Sequence, residues 1–580
     1  MTHRYLWAMF ILLFGGCTAG TTITTSNENS SSSPESIATP NLGSNAHIDA
    51  ARLSEIVKVL ASDDFEGRAP GTPGEEKTIA FLEEQFSQIG LEPGGENGSW
   101  TQAVPLIHTQ IEAPAAFALS VNGERLELRQ EVDVEISTVQ AVQEITLSDT
   151  PVVFVGYGTY APERAWDDFG DIDLTGKVAL FLVNDPDFAA EPDEAVSGRF
   201  GNRRMTYYGR WMYKFEEAAR RGAAAALVIH ETQAAGYGWN VASSSPGENY
   251  AIPTKAGATK PIALQGWMHG DMAAKVFAQA GLDLQEQMVL ARNPDFKAFE
   301  LTAVTMSADL TVSMDKIISQ NVLGLLPGTS RADETIMLSA HWDAYGMGKP
   351  DAQGRTVRPG ANDDALGTAG IMEIARVLKN QPPLERSVVI AAWTAEESGL
   401  LGSAAYATNP VYPVEKTVAN LTLDILQTAG LSKDVILVGE GQSELEEELA
   451  KAAQLQGRTL TPESLPENGL FFRADHFSMA RVGVPVLLLM GIAGGADLVN
   501  GGREAGDQWV EDYIGNCYHQ TCDAWDADWD LSGAVQDIEL FLTITQELGN
   551  SEHWPQWMPE SEFKAIRDES EYVRHGSASR

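Results

Sequence analysis

The sequence predicts an α/β protein: a mixed, mostly parallel central sheet flanked by helices, carrying a smaller β-rich insertion. Three observations predict it. From Gln320 onward, short apolar runs alternate with helical periodicity, the pattern of a mostly parallel sheet covered on both faces. Between about residues 140 and 290, short apolar runs bounded by turn residues dominate. Potential metal ligands also recur just after the apolar runs, and in open α/β sheets the carboxyl ends of strands carry the site.

Taken in order, the chain begins with Arg4, an apolar stretch from Leu6 to Phe14, and Gly15 and Gly16 before Cys17. This is the layout of a signal peptide over 1–17. The run Leu13-Phe14-Gly15-Gly16-Cys17 resembles a bacterial lipoprotein cleavage box, which makes Cys17 the lipidation candidate and the membrane a partner only through that anchor. Residues 18–45 are rich in Ser, Thr and Asn and read as a flexible tether. Leu53, Ile56, Val57 and Leu60 recur at helical spacing, as do Ile79, Leu82 and Phe86 before Gly90.

Pro151 to Gly156, Val178 to Val183 and Ala224 to Ile229 read as buried strands, with a short helix over 215–222. The segment 140–290 is therefore expected to be a separate insert between 46–139 and 291–550. Beyond Gln320, strands are expected at 335–340, 387–393, 435–438 and 485–490, and Ile371, Ile374, Ala375 and Leu378 form one helical face. Residues 551–580 read as a polar C-terminal tail.

The 580 residues carry 81 acidic and 40 basic side chains, a formal net charge of −41. A surface this negative repels phosphate backbones, which argues against nucleic acid as a partner. Besides Cys17 the cysteines are Cys517 and Cys522. In an oxidising compartment such a pair forms a disulfide; two free thiols are the alternative.

The polar residues at the strand exits are His341 and Asp343, Asn362-Asp363-Asp364 in a Gly-rich loop, Glu396-Glu397, Asp424 and, in a late loop, His519. Carboxylates brought together repel unless a cation joins them. Two zinc ions meet that need. Zinc takes histidine nitrogen and carboxylate oxygen in about four positions, and two ions about 3.5–4 Å apart need one shared carboxylate. Two histidines, two aspartates and a glutamate satisfy this with Asp363 as the bridge. His230 and His269 lack ligand spacing and read as structural or exposed.

Four segments in the same order carry a resemblance. They are Ser339-Ala340-His341-Trp342-Asp343, Gly360-Ala361-Asn362-Asp363-Asp364-Ala365-Leu366-Gly367, Ala395-Glu396-Glu397-Ser398-Gly399-Leu400-Leu401-Gly402-Ser403 and Tyr518-His519-Gln520-Thr521-Cys522-Asp523. Together with Asp424 they resemble the co-catalytic dizinc aminopeptidases of metallopeptidase family 28, over about 50–130 and 315–550. Leu366 and Thr422 depart from the family pattern, and neither is a ligand position. The insert resembles the protease-associated domain through Leu174-Thr175-Gly176-Lys177-Val178 and the helix-Gly-Ala-strand unit at 215–229.

The resemblance implies a zinc exopeptidase fold and a peptide substrate. It makes His341, Asp363, Glu397, Asp424 and His519 the zinc ligands and Glu396 the general base acting on a zinc-activated water. It implies that Asp343 fixes the tautomer of His341 by accepting a hydrogen bond, and that the Asp363–Asp364 peptide is cis. Asp364, Tyr518, Asp475 and His476 are expected to support the site or touch substrate, with Tyr518 as an oxyanion donor or a packing tyrosine and Phe471-Phe472 as a pocket wall or a core aromatic pair. The alternatives are a dipeptidase or carboxypeptidase with Arg473 as carboxylate clamp, a single-zinc glutaminyl cyclase, and a binding protein on an inactive fold.

Overall fold

The computed structural model describes residues 46–255 and 257–575. The leader, Cys17 and the tether lie outside the described residues. The two N-terminal helices form where periodicity places them, at Ala50–Leu60 and Pro73–Ile89. Asp49 caps the first by accepting the Ala51 N–H at 2.9 Å. Gly90, at φ 88°, ends the second in the left-handed conformation. Leu82 and Phe86 on its inner face are fully buried, each worth about 1.5–3 kcal/mol of apolar transfer.

The central sheet has a parallel core in the spatial order Arg386–Trp393, Arg331–His341, Thr417–Leu423 and Val486–Leu489. Alternation sorts its side chains. Val388, Ile390 and Ala392 pack with Ile336, Leu338, Ile371 and Ile538 on one face. Val389, Ala391 and Trp393 pack with Met337 and Val486 on the other. Helices Leu366–Lys379 and Ser532–Asn550 contribute to the first layer. Among the described residues no helix is long and apolar enough to cross a membrane.

One strand joins the two parts of the protein. Phe299–Leu326 runs for 28 residues. Its second half pairs with Thr101–Ile111 and Arg386–Trp393, and its first half with Ala116–Val121 and Glu144–Phe154. Parallel strands Glu144–Phe154, Val178–Leu182, Ala225–His230 and Leu264–His269 then build a second sheet, closed at its edge by antiparallel Val134–Ser137. This sheet recruits strands on both sides of the expected 140–290 segment, because its antiparallel members at 116–137 and 299–311 bracket the parallel ones in the chain.

Two further expectations are corrected. Asp434–Leu437 forms a strand but pairs with Thr459–Pro462 in a separate ribbon rather than in the central sheet. The C-terminal segment is not a loose tail up to residue 575. Trp554, Trp557, Phe563 and Arg567 are buried. Trp557 Nε1 donates to Gly483 O at 2.9 Å, and Arg567 donates to Val414 O and Thr417 O. Large aromatic surface separated by polar residues decides the packing here, and average polarity hides it.

Candidate metal centre

The parallel strands deliver their polar residues to one edge. His341 ends Arg331–His341, Glu396 and Glu397 follow Arg386–Trp393, and Asp424 follows Thr417–Leu423. Asp363 lies in the irregular turn Ala361–Ala365 ahead of the helix, with a cis peptide to Asp364. His519 comes from the loop after Tyr513–Cys517, whose Cys517 is disulfide-bonded to Cys522. All of these side chains converge.

The Asp363 carboxylate faces an imidazole with each oxygen. Oδ1 stands 3.2 Å from His341 Nε2 and Oδ2 stands 3.4 Å from His519 Nε2. His519 Nε2 is also 3.3 Å from Glu397 Oε2. Asp424 and Glu396 present ligand atoms within 4.8 Å of each other and of His341. Donors about 2.0–2.2 Å from one tetrahedral ion stand about 3.3–3.6 Å apart, so these spacings suit ligands of shared cations. His341 Nε2 and Asp363 Oδ2 are buried with no hydrogen-bond partner, which is costly unless something else fills that role. The donor set fits a metal.

The electrostatics agree. Burial pushes the Asp424 carboxyl up to about 8, and burial likewise raises Glu396, Glu397 and Asp364 well above the carboxylate range. Asp363 moves the other way: burial opposes its ionisation, but the two imidazoles hold it below the usual range. Packed together, these acids lack positive charge, and a cation supplies it.

The supporting contacts differ from expectation at one point. His341 Nδ1 donates to the backbone carbonyl of Asp343 at 3.1 Å, while the Asp343 carboxylate lies 3.7 Å away. That carboxylate instead accepts the N–H groups of Glu396 at 3.0 Å and Glu397 at 3.4 Å. The carbonyl is nearer because the turn out of the strand folds back over the ring. Asp364 accepts from His341 N, Gly367 N and Ile425 N, tying three segments together. Tyr518 Oη accepts from Arg473 at 3.1 Å. Asp475 and His476 are buried, yet neither lines the cavity, and His476 packs edge-on against Phe471 at 5.1 Å. Phe472 lines it, and Phe471 does not. His230 is buried against Tyr237 O, and His269 caps a helix.

Arg68 and Asp523 also shape the site, and the sequence assigned neither of them a role. Arg68 is fully buried and donates to the carbonyls of Leu60, Trp342, Pro359 and Gly360, joining the strand end to the Gly-rich loop. Asp523 accepts from Asn362 N at 3.0 Å and Asp363 N at 3.1 Å, so the His519 loop grips the bridging loop. It ends a quoted motif without an assigned role, which was the available clue. Ala395, Ile425 and His519 adopt φ of 52°, 54° and 61°. Such conformations cost about 1–3 kcal/mol each and cluster at functional sites.

A cavity of about 660 Å³ opens onto the cluster. Asp363, Glu396, Glu397, Asp424, Tyr518 and His519 form one wall, and the second sheet's segment adds Arg210, Trp211, Phe215, Tyr237 and Trp267.

Fold and site together place a cluster of histidines and carboxylates that could hold metal at the carboxyl edge of a parallel sheet, beside a cavity. Residues 321–543 match the family model of peptidase family M28. The chain is 29% identical over 148 residues to "Aminopeptidase YwaD" of Bacillus subtilis, covering 24% of this chain and 30% of that protein. It is 27% identical over 235 residues to "Probable lipoprotein aminopeptidase LpqL" of Mycobacterium tuberculosis, covering 37% and 43%. The chain thus spans under half the length of these curated relatives. Among solved structures, an aminopeptidase from Aneurinibacillus sp. strain AM-1 aligns with a TM-score of 0.49 at 18% identity, covering 89% of this chain and 95% of that one.

Proposed function

We propose that this protein is an exported zinc aminopeptidase that hydrolyses the first peptide bond of a peptide with a free amine. The observation that carries the reading is the Asp363 carboxylate, with one oxygen toward His341 and the other toward His519. Two zinc ions would be held by His341, Asp363 and Asp424 on one side and by Asp363, Glu397 and His519 on the other. Bound there, zinc supplies Lewis acidity toward the scissile carbonyl and lowers the pKa of water.

The chain's own residues do the rest. Glu396 faces the cavity and takes the proton from the attacking water, then returns it to the leaving amine. The backbone of Glu396 is held by the Asp343 carboxylate, which fixes the base. Tyr518 accepts from Arg473, which leaves its own proton to donate to the oxyanion developing on the scissile carbonyl. The surrounding carboxylates favour an ammonium, which supports recognition of the substrate's amine. The Cys517–Cys522 bond stiffens the loop bearing His519 and suits an oxidising, exported location. The segment at 140–290 acts as a wall of the substrate cavity, because residues from Arg210 to Trp267 line it.

A panel of amino-acyl amides and N-acetylated peptides, assayed with and without chelator and with metal analysis, tests the proposal. Cleavage confined to free-amine substrates, abolished by chelator, with two zinc ions per chain, is expected. Cleavage of N-acetylated peptides from the carboxyl end would overturn it in favour of a carboxypeptidase. A single ion with full activity would favour a cyclase-like site.

A further inference from the structure

Seven arginines are buried among the described residues. Arg52 and Arg376 pair with Glu373, Arg386 with Glu334 and Arg458 with Asp537. Arg68 and Arg567 are surrounded by accepting carbonyls. Arg210 has neither. It is 5% exposed, its Nε is buried without a partner, and no carboxylate pairs with it among the described residues. A buried guanidinium without acceptors is costly, and in a chain with 81 acidic residues the lack of a partner calls for a reason.

Arg210 precedes helix Trp211–Arg220 and lines the cavity that holds the metal cluster. Arg473 lines the same cavity, has no carboxylate partner either, and reaches Tyr518 beside the ligand His519. Burial, and next the like charge of Arg473, lower the Arg210 pKa to about 10, so both groups are cationic at neutral pH. The other acids lining that part of the cavity are engaged. Glu216 accepts from Tyr207 Oη, Glu248 pairs with His108, and Glu135 accepts from Gly247 N. Arg210 thus faces the cavity with no counter-ion of its own, whereas Arg473, beside Tyr518, feels the charge of Glu396 and Asp424.

We propose that Arg210, with Arg473 beside it, receives the carboxylate of the residue that follows the scissile bond. The proposal rests on the aminopeptidase reading and names its substrate class: dipeptides, whose main-chain carboxylate is one residue past the cut, or peptides with Asp or Glu second. Consecutive Cα atoms are only about 3.8 Å apart, so either carboxylate stays close to Tyr518. A planar guanidinium suits bidentate carboxylate binding. Arg210 is a specificity residue in this role. It touches the departing portion of the substrate and takes no part in proton transfer.

The test uses the full, zinc-loaded chain and compares kcat/KM for Leu-Ala against Leu-Ala-amide, which reads the main-chain source, and for Leu-Glu-amide against Leu-Gln-amide, which reads the side-chain source. In the wild type, at least one acid is preferred over its neutral partner by about tenfold or more, the scale of one charge-assisted contact. Arg210→Met brings that ratio to within about twofold, while Arg210→Lys keeps part of it. Ratios near one in both wild-type pairs, with the amides still cleaved, overturn the proposal and leave the aminopeptidase reading standing. So does a wild-type ratio that persists in Arg210→Met. Cleavage of none of the four removes the aminopeptidase reading and the proposal with it.

Discussion

Asp343→Asn separates two roles that the fold holds apart. The Asp343 carboxylate is fully buried and accepts the N–H groups of Glu396 at 3.0 Å and Glu397 at 3.4 Å. Asparagine keeps the shape but turns one oxygen into an NH2, which faces a backbone donor instead of accepting from it. One hydrogen bond to a charged acceptor is lost, worth about 1.5–3 kcal/mol. If that loss falls on the placement of Glu396, kcat drops about ten- to 150-fold, at 1.36 kcal/mol per factor of ten. His341 Nδ1 leans on the carbonyl oxygen of Asp343, a contact that the substitution leaves in place. Zinc content should therefore be retained. The assay measures kcat on an amino-acyl amide and metal content on the same preparation. Loss of zinc, or a kcat within about twofold of wild type, would refute the assignment of the carboxylate to the backbone of the base.

Three further outcomes are expected. Glu396→Gln keeps its metal and loses about 10²–10⁴ in kcat, because the carboxamide cannot accept the proton; wild-type turnover would show that another group is the base. Burial raises the Glu135 carboxyl from an ordinary 4.5 to about 8, against the opposing Gly247 N–H. The folded state therefore keeps a proton that the unfolded chain releases, so this group's contribution is lost as pH rises from about 4.5 to 8. Glu135→Gln should gain on the wild type over that window, by up to about 4 kcal/mol at pH 8, and denaturation curves with parallel pH slopes would contradict it. Trp557→Ala removes a side chain that is 2% exposed and bonded to Gly483 O; it should cost about 3–5 kcal/mol, and a loss below about 1 kcal/mol in chemical denaturation would show that the C-terminal segment does not hold the domain.

The ligand candidates were legible because the rule behind them is local. An apolar run that ends in His341, Glu396 or Asp424 states both the strand and its exit, and the four quoted segments mark the loops between. Helix ends were equally legible, as with Gly90, whose left-handed φ closes Pro73–Ile89. Arg68 and Asp523 were not. Their partners are backbone carbonyls and N–H groups, which every residue has, so no pairing pattern marks them. Asp343 shows the same effect at short range: which of its oxygens meets His341 depends on the turn.

By itself the sequence determined the alternating α/β pattern, the two N-terminal helices, and the residue types able to bind zinc, since each follows from periodicity or from chemistry carried by one side chain. Only the tertiary structure decided that Phe299–Leu326 would serve two sheets, that Trp557 would anchor the C-terminal segment, and that Arg210 would line the same cavity as Asp363 with no carboxylate partner. Those outcomes depend on pairings between residues far apart in the chain. Such contacts are selected by the packing of the whole and leave no spacing to read along the chain.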